Sequence, residues 1–511
     1  MKKILIFVFL GLLIYGFSLS NGFVWDDEAI FQNTGATSTS VYFRPVMTAV
    51  YTAIHTIFGQ NPFFFHLFQI IFHIVTAITV FYLFRRFFEE NLSLILALIF
   101  LAHPANVEAV SFISAMQDVV FTLTGITGLY LIVSSKNFSI AKIILATLIL
   151  FISLLMKETA IVFFVLVFCY LFIFKKNNQK LLINYSLFAL IFLMIYFLFR
   201  LSGSNLYVQG QGLFPIMRVS LATRLINIPS IIHYYLSMFV YPINLAIAQN
   251  WVVNFPDFLH FTLPLIIEVF TFLEIILYIQ KKKDKTLTFF FFWLLIGLLP
   301  HLQIIPLNMT VAERWLYFPM IGLLGMIGTV LSFPRRRESR LIIPLMVLVV
   351  ILFSARSFVR TLDWRNGLFL FGHDIKKNSS FDLQNNFGVE LFRVRRYDEA
   401  KKYFEISIQL APYWWVNWNN LGAVYEQEKN IQKAAEYYQK SINNGQYYLA
   451  YENLAKILVL YGKNQKMTEE FLKKSLQLFP ENENLRSIVT FYNQKKTSPG
   501  GSSVNKLIEN N

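Results

Sequence analysis

The 511-residue sequence is poor in cysteine and in charge. Cys169 is its only cysteine, which excludes an intramolecular disulfide and a cysteine-based zinc site. Charged residues make up 15% of the chain, against about 25% in an ordinary soluble domain. Apolar residues account for 56%, aromatic residues for 17%, and mean hydropathy is +0.51. So little charge, with many apolar runs of roughly 17 to 20 residues, reads as a multi-span helical membrane protein. The net charge of +15 does not indicate a nucleic-acid partner, because no DNA- or RNA-reading motif is present. Much of that charge sits in short clusters between apolar segments, where it sets topology.

The apolar runs predict about eleven spans, at 4–20, 66–84, 92–110, 117–134, 140–156, 159–174, 182–200, 261–280, 286–303, 313–333 and 341–358. The first follows Met1-Lys2-Lys3 and reads as an uncleaved anchor rather than a signal peptide cut after Ser20. Lys2-Lys3, Arg85-Arg86, Lys136, Lys175-Lys176 with Lys180, Lys281 to Lys283 and Arg335 to Arg337 are assigned to the cytoplasmic side. Only one crossing then fits between 201 and 280, so the segment 226–247, interrupted by Pro229, His233 and Pro242, is read as re-entrant or interfacial. Lys-, Phe- and Asn-rich usage suits a bacterial inner membrane, with the C-terminal region on the periplasmic side. An endoplasmic reticulum membrane would keep that topology, with the lumen as the outside.

Past residue 360 the composition turns soluble and repeats appear. Asn385-Asn386-Phe387-Gly388 returns 34 residues later as Asn419-Asn420-Leu421-Gly422. At the same shift Ala400 matches Ala434, Phe404 matches Tyr438 and Ser407 matches Ser441, and a weaker third copy starts at Asn453-Leu454-Ala455. A 34-residue period with small residues at helix contacts is the tetratricopeptide pattern. The expected fold class is therefore all-α: a polytopic transmembrane helical bundle over 1–360, a junction at 361–383, a tetratricopeptide-repeat α-solenoid of about three repeats at 384–490, and a flexible tail at 491–511.

With that topology, acidic and paired polar groups collect on the outer side. They are Asp26-Asp27-Glu28 and Arg44 after the first span, His103 with Glu108, Gln117-Asp118, Lys157-Glu158 and Glu313-Arg314. Carboxylates at apolar span ends are costly unless they face water or each other, and a shared aqueous cavity accounts for all of them. Asp26, Asp27 or Asp118 could take a proton from an acceptor hydroxyl. Arg314, Lys157 and Arg44 could hold a phosphate leaving group. The bland readings stand beside these: Asp26-Asp27-Glu28 as a helix cap cluster, and Lys157-Glu158 and Glu313-Arg314 as local ion pairs. His66, Gln69 and His73 share one helix face and read as interhelical hydrogen-bonding groups rather than metal ligands, with His66 also a candidate for the cavity wall. Tyr413, Trp414, Trp415 and Trp418 read as helix packing rather than a binding surface.

Several of these residues fall in an ordered set of motifs: Phe23-Val24-Trp25-Asp26-Asp27, Phe43-Arg44-Pro45, Asn61-Pro62 through His66, His103-Pro104 through Glu108, Lys157-Glu158, Glu313-Arg314 through Pro319, and Arg360 through Asn366. The set resembles the transmembrane and tetratricopeptide-repeat O-mannosyltransferases and their bacterial relatives, within the GT-C glycosyltransferase class. The resemblance covers most of the chain and is thin over 180–300. It implies a polyprenyl-phosphate-linked sugar donor, an inverting transfer that uses no metal or other cofactor, and Asp26 and Asp27 at the catalytic centre. The second acid would map to Glu108 or Asp118. Relatives often carry an arginine before that acid, where this chain has Met116-Gln117. The acceptor would be a protein or glycan hydroxyl, and the repeats would engage a protein partner. The alternative is a catalytically inactive, membrane-anchored scaffold whose repeats assemble an envelope polysaccharide or secretion complex.

Overall fold

The computed structural model of the chain describes residues 2–28, 43–203, 212–332 and 336–497. Arg335 and the part of the expected tail from 498 onward lie outside these residues. The chain divides into two units, Met1–Asn378 and Ser379–Asn511, and the boundary falls within the expected junction. Both are helical. The one bridge among the described residues is an isolated pairing of Gln249 with Val311.

In the first unit six helices are long and apolar enough to cross a membrane: Lys2–Ser20, Pro62–Phe84, Ile113–Ser134, Gln179–Leu201, Phe258–Lys282 and Ile342–Asp363. A seventh candidate is the pair Glu90–Ala102 and Pro104–Ser111, bent by 51°. The expected third span therefore stops at Ala102. His103 caps the next turn by accepting from Ala105 N at 3.2 Å, and Pro104 cannot continue the ladder. Four more expected spans appear as shorter apolar helices, Ile140–Met156, Glu158–Phe174, Lys285–His301 and Pro319–Leu331. Length and composition thus support six or seven full spans rather than eleven. A helix of 13 residues such as Pro319–Leu331 rises only about 20 Å, short of the roughly 30 Å hydrocarbon core. An additional helix, Pro45–Phe58, lies between the first two expected spans. The segment read as re-entrant overlaps a 20-residue helix, Leu221–Val240, with Pro229 inside it. That helix is not among those apolar enough to cross.

Two of the basic clusters meet at one end of the bundle, where Glu90 pairs with both Lys3 and Arg85. Small residues let helices approach closely. A side chain at Gly322 would strike the backbone of Leu294 and Phe290, so Pro319–Leu331 packs tightly on Lys285–Leu298.

The second unit is three helix pairs followed by a last helix, Glu483–Thr497. That helix carries ordered chain past the expected boundary at 490. The repeat is visible atom by atom. Ser407 Oγ donates to Phe381 O and Ser441 Oγ donates to Trp415 O, each at 2.7 Å. Gly388 lies under the ring of Phe404 as Gly422 lies under that of Tyr438. The aromatic cluster packs: Trp414 meets Phe381 edge-on, Trp415 covers Gly445, and Trp418 stacks on Tyr437. A Cβ at Gly422 would sit 2.7 Å from the Tyr438 ring. Gly422→Val is therefore expected to cost about 1–3 kcal/mol, read as a lowered melting temperature of the repeat unit in the full chain. Unchanged melting would contradict this packing.

Candidate active site

The other end of the bundle holds the charged motifs, and the elements that end there are short or broken. Lys157 interrupts two apolar helices, Pro300-His301 closes a third, and Glu313-Arg314 precedes a fourth. Irregular backbone at membrane depth is tolerated where it is buried in protein or lines a polar cavity.

Cross-loop pairs knit these breaks together. Arg44 Nε donates to Glu158 Oε2 at 2.9 Å, and a second guanidinium nitrogen reaches Glu158 Oε1. Its remaining terminal nitrogen donates to Gln117 Oε1. Lys157 Nζ donates to Asp118 Oδ1, and both side chains are buried. Arg314 bonds Glu108 twice, through its backbone N–H at 3.0 Å and through one guanidinium nitrogen. The sequence neighbours Lys157-Glu158 and Glu313-Arg314 are therefore not local ion pairs. Each partner of Lys157-Glu158 turns to a different loop, and so does each partner of Glu313-Arg314. The three cations are also one electrostatic group, since Lys157 lies within range of Arg44 and Arg314.

The two aspartates separate. Asp27 is fully buried. Its Oδ1 accepts from Ser114 N at 2.7 Å and Ser114 Oγ at 2.8 Å, and its Oδ2 accepts from Val24 N at 3.2 Å. Burial pushes its carboxyl up to about 7, against those three donors. Asp26 is exposed to solvent. Burial raises its carboxyl above the usual range, and the Arg314 guanidinium pulls it back down. Trp25 holds this turn with φ +53° and stacks on Phe112 at 5.6 Å. Positive φ in a bulky residue costs of order 1–3 kcal/mol. The junction motif braces the same segment: Gly22 N donates to Arg365 O at 3.1 Å, and buried Trp364 packs on Phe112.

Other expected residues lie elsewhere. Glu313 is buried, 3.9 Å from Arg360, with neither carboxylate oxygen hydrogen-bonded. Burial pushes its carboxyl up to about 8. Arg360 is instead gripped by Asp374 at 2.6 and 2.8 Å. His103 bonds Phe239 O and packs between Phe239 and Phe353, away from the charged pairs. His66 is completely buried, so it does not line an open cavity. Gln69 donates to Ala109 O and Phe112 O, and His73 bridges Tyr317 and Leu101 O. Glu28 is exposed at the end of the acidic run. Among the described residues no group of three His, Cys, Asp or Glu side chains is placed to hold a metal ion.

Sequence reasoning missed Ser114, Tyr51 and His301. Ser114 holds Asp27, and Tyr51 donates to Ile113 O at 2.8 Å within range of Asp27, Arg44 and Asp118. His301 stacks on Trp315 at 4.8 Å within range of Lys157 and Arg314. Its signal was a lone Pro-His at the end of an apolar run, like His103-Pro104 in reverse. Because three donors depend on Asp27, Asp27→Asn is expected to destabilise the protein by about 1–3 kcal/mol. Asp26→Asn should leave the melting temperature unchanged. Equal melting of both variants would contradict the separation.

Comparison with known proteins follows the same outline. A family model described as dolichyl-phosphate-mannose-protein mannosyltransferase matches residues 44–201, which include Arg44, Glu108, Asp118, Lys157 and Glu158. A tetratricopeptide repeat model matches residues 417–444. A protein O-mannosyl-transferase of Caenorhabditis elegans is 22% identical over 452 residues, covering 80% of this chain and 63% of that protein. The chain thus spans less than two thirds of the length of the curated relative it matches. The chain thus resembles a protein O-mannosyl-transferase in sequence and carries a tetratricopeptide repeat in its second unit.

Proposed function

We propose that the chain is a membrane glycosyltransferase that moves a sugar from a polyprenyl-phosphate donor to an acceptor hydroxyl of a protein or glycan, at the outer face of the membrane. The observation that carries this reading is one accessible carboxylate, Asp26, within electrostatic range of a cation, Arg314, among charges that are paired across loops.

Chemistry assigns distinct roles. The acceptor oxygen attacks the anomeric carbon, its proton passes to Asp26, and the bond from that carbon to the phosphate oxygen breaks in the same displacement, inverting the centre. Asp27 holds the turn that aims Asp26. Arg314 is the best placed of the three cations to meet the leaving phosphate, because one guanidinium nitrogen bonds Glu108 and its side chain is partly exposed. Arg44 already spends its guanidinium on Glu158 and Gln117, and Lys157 is buried against Asp118. Those two, with Glu108, Asp118 and Glu158, keep the charged cluster preorganised, which is where most of the rate would come from.

Purified protein given a polyprenyl-phosphate sugar and a hydroxyl acceptor should release polyprenyl phosphate, and Asp26→Asn should lower the rate by about 100-fold or more. No turnover with any donor, together with stably co-purifying proteins, would favour the scaffold. The pH profile gives a second check. The base works ionised, so transfer falls as pH drops through the Asp26 pKa. Arg314 lowers that pKa, so Arg314→Gln should move the acidic limb of kcat/KM to higher pH, and Arg314→Lys should leave it near the wild-type position. A limb that stays put in Arg314→Gln would contradict the pairing.

A further inference from the structure

The helix Leu221–Val240 carries polar side chains in one stripe. Ser230, His233, Tyr234 and Ser237 recur at i, i+3, i+4 and i+7, which is a single helix face. The neighbouring face, with Asn227, Ile231, Tyr235 and Met238, is buried. A polar stripe is costly against lipid. This one lines a cavity of about 690 Å³, closed by the segment 251–257 and by the first turns of Phe258–Lys282. The cavity therefore lies at the end of that helix remote from Lys281 and Lys282. Its frame is held by hydrogen bonds. Asn227 Nδ2 donates to Val253 O at 2.9 Å, and Asn227 Oδ1 accepts from Val253 N at 2.7 Å. Ser230 Oγ donates to His260 O, and Asp257 Oδ1 accepts from His260 N at 2.7 Å.

One wall leads to the charged cluster. Gln249 pairs with Val311, in the segment that runs into Glu313-Arg314, and Thr310 Oγ1 donates to Trp251 O at 2.5 Å. Tyr234 accepts from Gln249 Nε2 at 2.8 Å and lies within electrostatic range of Glu108, the partner of Arg314. Other groups on the walls are unspent. The rings of Trp251 and Phe255 have no aromatic partner among the described residues, whereas Trp25 and Trp364 pack on Phe112 and Trp315 stacks on His301. Phe255 is 80% exposed. The side chains of His233 and Asn254 are exposed and make no hydrogen bond among the described residues.

We infer that this cavity is a subsite for a neutral saccharide, the acceptor end of the transfer proposed above. This rests on that reading and names the acceptor class. A pyranose offers an apolar C–H face to a flat aromatic ring and hydroxyls at its edge to amide and imidazole groups. Trp251 and Phe255 supply the rings, and Asn254 and His233 the polar groups. The volume lies within the roughly 300–1,000 Å³ of small-molecule sites. The described lining holds the Asp257 carboxylate and neither Lys nor Arg, so a lipid phosphate or an acidic sugar is disfavoured by charge. A peptide finds little free edge to pair with, because Trp251 O, Val253 N and Val253 O are already bonded. In transfer, the hydroxyl oxygen of the saccharide bonds to the anomeric carbon of the donor sugar, its proton passes to Asp26, and polyprenyl phosphate leaves.

The test uses the full chain in lipid nanodiscs, without donor, and fluorescently labelled neutral trisaccharides of glucose, galactose and mannose. At least one should bind with Kd below about 1 mM. Trp251→Ala should weaken that binding about tenfold, and Trp251→Phe much less. Asn254→Ala removes an exposed side chain with no internal bond, so it should weaken binding about three- to tenfold with unchanged melting. No saturable binding of any of these sugars up to about 10 mM, wild-type affinity in Trp251→Ala or Asn254→Ala, equal binding of a sulfated trisaccharide, or displacement by a peptide rich in Ser and Thr would overturn the inference. With donor added, absent transfer to a saccharide that still binds would count against the catalytic reading and not against the subsite. Transfer at low saccharide that is untouched by Asn254→Ala would count against the subsite and not against the catalytic reading.

Discussion

Charge buried in an apolar bundle must be paired, and that constraint organises the first unit. Lys157 and Asp118 are each almost completely enclosed, as is Glu108 beneath Arg314. Breaking such a pair leaves an uncompensated charge at about 3–5 kcal/mol. Because the partners come from different loops, each pair also ties one helix break to another: the Arg44 loop to the turn at Glu158, the start of Met116–Ser134 to the end of Ile140–Met156, and the bend after His103 to the loop before Pro319. The short helices follow from the same requirement. They stop where the backbone must turn to bring a charged side chain to its counterpart.

Against this background Asp26 stands out. Its neighbour Asp27 takes three hydrogen bonds and stabilises the turn, while Asp26 keeps an accessible face beside Arg314. The turn is strained at Trp25 and braced from behind by Trp364 and Arg365 of the junction. The junction motif is thus part of the support of the site as well as a connection. The Arg360–Asp374 pair extends that support, because Asp374 also accepts from Ile247 N at 2.8 Å.

Apolar length, basic clusters and the 34-residue repeat were legible in the sequence, because each is a local or periodic signal. The acidic motifs do come together across loops, but the eleven crossings from which that was expected are not supported by the helix lengths. Their partners were not legible. Glu313 and Arg314 are adjacent in sequence, yet a short 3-10 turn sends them to Arg360 and Glu108. Which of Asp26 and Asp27 is buried depends on Ser114, 87 residues away. His66, like Gln69, lies sealed within the packing. The helix Pro45–Phe58 was overlooked because it is amphipathic rather than uniformly apolar. In the repeats the asparagines were read as markers of period, since a single sequence does not reveal that they bond to one another.

The most direct test of the central claim is a structure of the protein in lipid with polyprenyl phosphate bound. The account predicts the phosphate within hydrogen-bonding distance of the Arg314 guanidinium, with Asp26 facing the position where the sugar would sit. A phosphate held at the Lys3 and Arg85 end, or anywhere remote from Arg314 at saturating ligand, would contradict it.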